Sequence, residues 1–273
     1  MMIIIKDDEK KYEQNILDHL RAHNKSHTGE KKWGVKYFYV TKNDQLLGVL
    51  KTSLGWDWVD VSQAYYSSVE VLELMLSKAA VEYKDSTSGL KMETRELDKL
   101  DDYLKIGFVK SGVMKGTSLT KDCLYANTRV FEIYSDSNLN VIQGSGVDEY
   151  NKILDKQEAD YKKEHELEEK ETVTYVALDG DEFLGGVQGI VTADYMYINL
   201  LVVNKDHRGK NIGTDLMNKI EEYSIINQLE SIVLGTAEFQ AKPFYEKLGY
   251  EVYLTMNDYP KGFECYELIK YIK

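Results

Sequence analysis

The chain has 273 residues, 43% of them apolar and 29% charged, with only two prolines and a formal net charge of −12. That length suits two domains better than one, and the apolar fraction can fill real cores, which excludes a disordered or proline-rich linker protein. Charge is uneven: Lys and Arg number 20 against 19 Asp and Glu in residues 1–129, and 14 against 27 in residues 130–273. This distribution argues against nucleic acid, whose affinity comes from clustered cations, and weakly favours a cationic partner such as an amine.

In chain order, residues 2–5 read as a strand. This apolar run is too short for an anchor, and no other run approaches the roughly 20 residues that span a bilayer, so a cytoplasmic protein without membrane contact is expected. A helix is expected over 9–22, strands over 35–41, 46–54 and 56–64, and an apolar helix over 69–83. A strand at 90–94, a helix at 97–106 and strands at 108–114 and 124–133 complete the first half. The second half opens with a strand at 130–134, a charged helix at 147–170 and a strand at 172–178 that ends in the turn Asp179-Gly180-Asp181-Glu182. Strands at 183–192 and 195–203, a helix to about 226, a strand at 231–235, a helix at 241–248 and strands at 250–256 and 265–272 follow.

Both halves therefore share one order of elements, which suggests a duplicated fold with domains 1–129 and 130–273. The closest local echo is Tyr103-Leu104-Lys105-Ile106-Gly107-Phe108 beside Tyr245-Glu246-Lys247-Leu248-Gly249-Tyr250. Each reads as a short helix that stops at a glycine suited to the left-handed C-terminal position, with an aromatic residue opening the next strand. One element is not shared. His207-Arg208-Gly209-Lys210-Asn211-Ile212-Gly213-Thr214 stands between strand and helix in the second half, whereas Tyr65-Tyr66-Ser67-Ser68 runs straight into the helix of the first. A small-residue turn that opens a helix leaves N–H groups for a phosphate-bearing cofactor. The order of Gly209-Lys210-Asn211-Ile212-Gly213-Thr214 does not match a P-loop, which places Lys after the second glycine.

The stretch YINLLVVNKDHRGKNIGTDLM, Tyr197 to Met217, resembles the acetyl-coenzyme A signature Q/R-x-x-G-x-G/A of the GNAT superfamily of N-acetyltransferases, with Asn211 at the central glycine position. Ala241-Lys242-Pro243-Phe244-Tyr245-Glu246-Lys247-Leu248-Gly249-Tyr250 is similar to the second signature, A-x-x-F-Y-x-x-x-G-F, and both occur in the family's order. The resemblance covers about 130–273 clearly and implies an α/β fold with a mixed sheet, here two tandem GNAT-like acyl-CoA N-acyltransferase folds, the first lacking the pyrophosphate loop. It implies that the fourth strand splays from the fifth, so that Leu201, Val202 and Val203 bond the pantetheine arm of acetyl-coenzyme A. Arg208, Gly209, Lys210, Asn211, Ile212, Gly213 and Thr214 would take the pyrophosphate. The implied activity is N-acetylation of a primary amine, with a small-molecule acceptor and no metal; a homodimer is left open.

An amine of pKa near 10.4 lies about three units from neutrality, so its deprotonation costs roughly 4 kcal/mol, and a base or water chain helps. Tyr245 matches the family's general acid toward the coenzyme A sulfur. Asn199 stands where many members carry a strand-four Glu, and it cannot take a proton at neutral pH. Glu238, at the end of the fifth strand, is a candidate to orient the amine or act as base, or a helix cap; Asp194 and His207 are more remote candidates. The missing carboxylate keeps a second class open, a non-catalytic acyl-coenzyme A sensor, and transfer to a protein would call for an open groove. His19, His23 and His27 would align on one helix, but Asn24, Ser26, Thr28 and Gly29 are expected to fray it. Trp33, Trp56 and Trp58, with Tyr65 and Tyr66, are read mainly as core or inter-domain packing, and 258–262 as a turn near the substrate. Cys123 and Cys265 read as two buried, reduced thiols.

Overall fold

A computed structural model describes residues 2–94, 99–114, 121–126, 140–144, 148–164, 171–192 and 194–272. The first half comprises β1 (Met2–Lys6), α1 (Glu13–Thr28), β2 (Gly34–Lys42), β3 (Gln45–Gly55), β4 (Trp58–Tyr66), α2 (Val69–Tyr83), β5 (Gly89–Thr94), α3 (Leu100–Lys105), β6 (Val109–Met114) and β7 (Lys121–Ala126). The second comprises β8 (Asn140–Gly144), α4 (Asp148–Glu164), β9 (Thr172–Asp179), β10 (Glu182–Thr192), β11 (Tyr195–Val203), α5 (Ile212–Ile226), β12 (Ser231–Ala237), α6 (Lys242–Lys247), β13 (Glu251–Met256) and β14 (Cys265–Tyr271). The expected strand at 130–134, the division at 129/130 and the end of the charged helix beyond Glu164 lie outside the described residues.

These strands form two seven-stranded sheets, ordered β8-β2-β3-β4-β5-β7-β6 and β1-β9-β10-β11-β12-β14-β13. In each, one parallel pair (β4 with β5, β11 with β12) is set among antiparallel neighbours. The sheets do not follow the expected contiguous division. Strand β1 pairs along its whole length with β9, whereas β8 pairs with β2. The helices follow their strands: Ile16 of α1 is fully buried with Val176, Leu178, Leu200 and Val202, and Leu154 of α4 is buried with Tyr39 and Val49. Each sheet thus takes its first strand and first helix from the other half.

Hairpin chemistry fixes the registers. Asn43-Asp44 and Trp56-Asp57 both have positive φ, the mirror-image turn that matches strand twist; this is why β4 begins at Trp58 and not at Trp56. Helix α2 is apolar because it is the core of the first unit, burying Leu72, Met75, Leu76 and Ala79 between sheet and solvent. Helix α1 runs six residues beyond its expected end, because Ser26 and Thr28 hydroxyls bond the carbonyls of His23 and Asn24 and Gly29 closes the helix at positive φ. His19, His23 and His27 therefore do share one helix; among the described residues no group of three His, Cys, Asp or Glu side chains is arranged to hold a metal ion.

Ile16→Ala removes a buried anchor of the exchanged helix, and about 3 kcal/mol of stability loss is expected in denaturant unfolding. A loss below about 1 kcal/mol would show that α1 is only loosely held.

Candidate active site

The parallel pairing of β11 with β12 runs from Tyr195↔Ser231 to Ile198↔Leu234 and then ends. The cause lies on the other edge of β11. Its register with β10 jumps from Gly189↔Ile198 to Gln188↔Leu200, which leaves Asn199 as the extra residue of a bulge. A bulge bends its strand and locally increases twist. Beyond it, residues 200–203 stay with β10 and leave β12, and a cavity of about 450 Å³ opens between the strands.

The floor of this cleft runs into the N-terminus of α5. Gly209 (φ 76°) and Asn211 (φ 64°) hold the left-handed conformation that a glycine or an asparagine tolerates. The helix makes its first bond from Asp215 N–H to the Asn211 carbonyl, so the N–H groups of residues 209–214 have no partner among the described residues. Six such donors at the positive end of a helix dipole form an anion cradle. Gly213 is needed for closeness as well, since a Cβ there would lie 3.3 Å from the Phe244 ring.

Every predicted site residue except Lys210, Glu238 and the remote candidate Asp194 lines the cleft. Lys210 is exposed, with Nζ 3.3 Å from His207 Nδ1, and His207 Nε2 lies 3.0 Å from Glu182 Oε1. Arg208 donates from Nε to the Val203 carbonyl, tying the cradle to β11 (3.3 Å). Glu238 is exposed and does not line the cleft, and its carboxylate accepts from the Glu264 N–H at 3.3 Å, continuing the β12–β14 pairing. Asp194 sits at the β10–β11 turn, its carbonyl accepting from Glu230 N–H, and does not line the cleft.

Tyr245 is buried on α6, its ring 5.1 Å from Phe244 and 5.9 Å from Tyr250 between centroids, and burial pushes its phenol well above the usual range. It keeps its proton throughout the neutral range. Asn199 donates to Gln188 Oε1 (2.9 Å), and Gln188 in turn donates to Thr174 Oγ1 (3.3 Å) and to Glu13 Oε1 (3.4 Å). The strand-four position therefore reaches a carboxylate through a buried amide, a link that sequence spacing does not reveal.

Two wall residues, Leu20 and His23, come from α1 and thus from the opposite half of the chain. Burial first, then His27 and Arg208, hold the His23 imidazole below its ordinary value, although the Phe239 backbone acts in the other direction. Phe239 stacks on His27 at 4.7 Å and on Trp56 at 6.1 Å, so the cleft mouth is framed by both halves. Trp58 donates to the Asp258 carbonyl (2.8 Å), and Lys261 N–H reaches Asp57 (3.3 Å), which seats the 258–262 turn against the first unit. Trp33 is exposed. Cys265 is buried, and burial raises its thiol to about 12; the Cys123 side chain lies outside the described residues.

Asn211→Val places a β-branched residue at positive φ and is expected to lower stability by about 1–2 kcal/mol in thermal unfolding, whereas Asn211→Gly stays near wild type. Equal losses would show that Asn211 acts through its side chain.

The profile of the acetyltransferase (GNAT) family matches residues 129–250. Blasticidin-S acetyltransferase from Streptomyces morookaense is 32% identical over 103 residues, which is 36% of this chain and 72% of that protein. Among solved structures, an acetyltransferase from Bacillus cereus is 25% identical with a TM-score of 0.44, covering 47% of this chain and 95% of its own. An aminoglycoside 6'-N-acetyltransferase complexed with coenzyme A is 24% identical with a TM-score of 0.36, covering 38% and 74%. Matched by the family profile across the segment that carries the cleft, and 32% identical to an acetyltransferase over 72% of that relative's length, the chain belongs to the GNAT family of acetyltransferases, whose acyl donor is acetyl-coenzyme A.

Proposed function

We propose that the second unit acetylates the primary amine of a small molecule by direct transfer within a ternary complex, and that the first unit is a duplicate of the same fold that no longer holds the donor. The observation that carries this reading is the cleft itself. It joins a splayed strand pair, a run of partnerless N–H groups and a protonated, buried tyrosine in one cavity. Its shape and donors suit acetyl-coenzyme A: the free edge of Leu201 to Val203 for the pantetheine amides, and residues 209–214 for the pyrophosphate.

When bound, the donor supplies a thioester carbonyl open to attack by an amine. In this reading Tyr245 protonates the departing sulfur; burial keeps its phenol neutral until far above physiological pH, which supports that role. Asn199, at the bulge, is fixed by Gln188 and has no proton-accepting group, so it positions and does not deprotonate. Glu238 does not line the cleft and its carboxylate accepts from the Glu264 N–H, so no proton transfer is assigned to it here.

The first sheet supports the view of a duplicate. Its β3–β4 register jumps from Lys51↔Gln63 to Thr52↔Val61, leaving Ser62 as a bulge, and its parallel pairing ends at Val61↔Met92. But α2 starts immediately after β4, with Ser68 accepting from Val71 N–H at 3.4 Å and Ser67 N–H bonded to the Leu47 carbonyl. No anion cradle is formed there.

Thiol release should be followed with blasticidin S, kanamycin, spermidine and an alanine-terminated peptide as acceptors. Turnover of at least one small amine is expected, and Tyr245→Phe should cut kcat about a hundredfold while coenzyme A affinity stays within about twofold. Tight coenzyme A binding without turnover, unchanged in Tyr245→Phe, would instead support an acyl-coenzyme A sensor.

A further inference from the structure

A second cavity, of about 720 Å³, lies between the two sheets. On the first unit's side it occupies the gap left where β4 and β5 separate, and α4 covers it with Leu154, Gln157 and Glu158. On the second unit's side it is closed by Thr192, Tyr195 and Tyr197. It is thus the first unit's counterpart of the donor cleft, stripped of the phosphate cradle and turned toward the catalytic sheet.

Its chemistry suits a cation. Asp60, Glu93 and Glu158 outnumber Lys51 and Lys91 among the lining residues, with Lys162 2.9 Å from Glu158 just beyond them. Lys91 already sits 3.6 Å from Asp60 and over the Tyr259 ring, and Gln63 bridges Lys51 (3.3 Å) to Glu158 (2.9 Å). Carboxylates among tyrosine faces receive an ammonium group through charge and ring quadrupole together. A volume of this order accommodates a molecule of drug size.

Gly235 of the donor cleft and Tyr197 of the second cavity lie close together. Gly235 lines the donor cleft, and a Cβ on it would lie 2.9 Å from Glu267 Oε1 and 3.5 Å from the Tyr197 hydroxyl. Glu267, paired with Gly235 across β12 and β14, therefore stands beside a residue of each cavity. The nearby Glu267 charge, with desolvation second, raises the Tyr197 phenol well above its ordinary value.

We propose that the inter-sheet cavity is the acceptor chamber, that it takes a small cationic amine, and that Glu267 accepts the ammonium proton between chamber and donor cleft. This rests on the reading of the second unit as an amine acetyltransferase. The bookkeeping closes with no redox partner. Glu267 takes one proton from the ammonium and passes it to solvent. The nitrogen lone pair forms the C–N bond as the C–S pair returns to sulfur. Tyr245 protonates that sulfur and regains a proton from the nitrogen.

The test uses the full chain, coenzyme A affinity by calorimetry as the control for folding, and the panel amine that turns over fastest. Gln157→Trp, which fills the chamber, should raise acceptor KM at least about tenfold, and Asp60→Asn about fivefold, both with coenzyme A affinity within about twofold. Glu267→Gln should lower kcat about a hundredfold at unchanged acceptor KM, and Glu267→Asp should recover part of it. Unchanged KM in both chamber variants at full kcat would place the acceptor elsewhere, and unchanged kcat in Glu267→Gln would remove it as the base. Peptide transfer indifferent to Gln157→Trp would likewise overturn the chamber. Coenzyme A binding without transfer to any panel amine would instead defeat the functional reading, and the chamber with it.

Discussion

The chemistry of this molecule depends on the failure of one strand pair to stay together. Parallel strands in a sheet normally satisfy each other's backbone groups along their whole overlap, and leaving such groups unpaired costs free energy unless a ligand or water replaces the partner. Here the separation is built in by a single inserted residue, Asn199, which re-aims β11 just as it reaches the level of Leu234. The cleft, the free edge of residues 201–203 and the approach to the cradle all follow from that bend.

The exchange of first strands gives the bend its second consequence. A helix from the opposite half covers each opened sheet, so the donor cleft is walled partly by Leu20 and His23, while the first unit's gap is roofed by α4. Neither unit completes its own cavity. The two sheets are further joined where Met114 is buried with Tyr195, Val233 and Ile269. An acceptor held between the sheets would then meet the donor near Gly235, where any larger side chain would collide with Glu267.

Much of the fold was legible in the sequence because the relevant signals are local. The bounds of α2 coincide with its apolar run, the break expected at 42–45 holds the Asn43-Asp44 turn, and the cradle follows from Gly209, Asn211 and Gly213, whereas the Trp56-Asp57 turn was hidden in an aromatic residue that reads as strand. What was hidden depends on partners distant in the chain. The apolar run of β1 says that it seeks a sheet edge but not which of two equivalent edges it takes. The frayed reading of 24–29 failed because tertiary contact, including Gln240 to Asn24 at 2.8 Å, outweighs weak helix propensity. Glu238 was placed by its position after β12, and its pairing with Glu264, distant in sequence, engages its backbone N–H and carboxylate. Glu267 carries no motif at all; only its register opposite Gly235 brings it beside a residue of the cleft.

The central claim is that one splayed pair holds the acyl donor and its duplicate does not. Amide hydrogen exchange on the full chain, with and without saturating coenzyme A, separates the two directly, because a bound ligand slows exchange only where it orders or covers the amides. The account predicts strong protection at residues 199–203 and 209–214 and no change at residues 62–68. Equal protection of both segments, or none at 209–214, would contradict it.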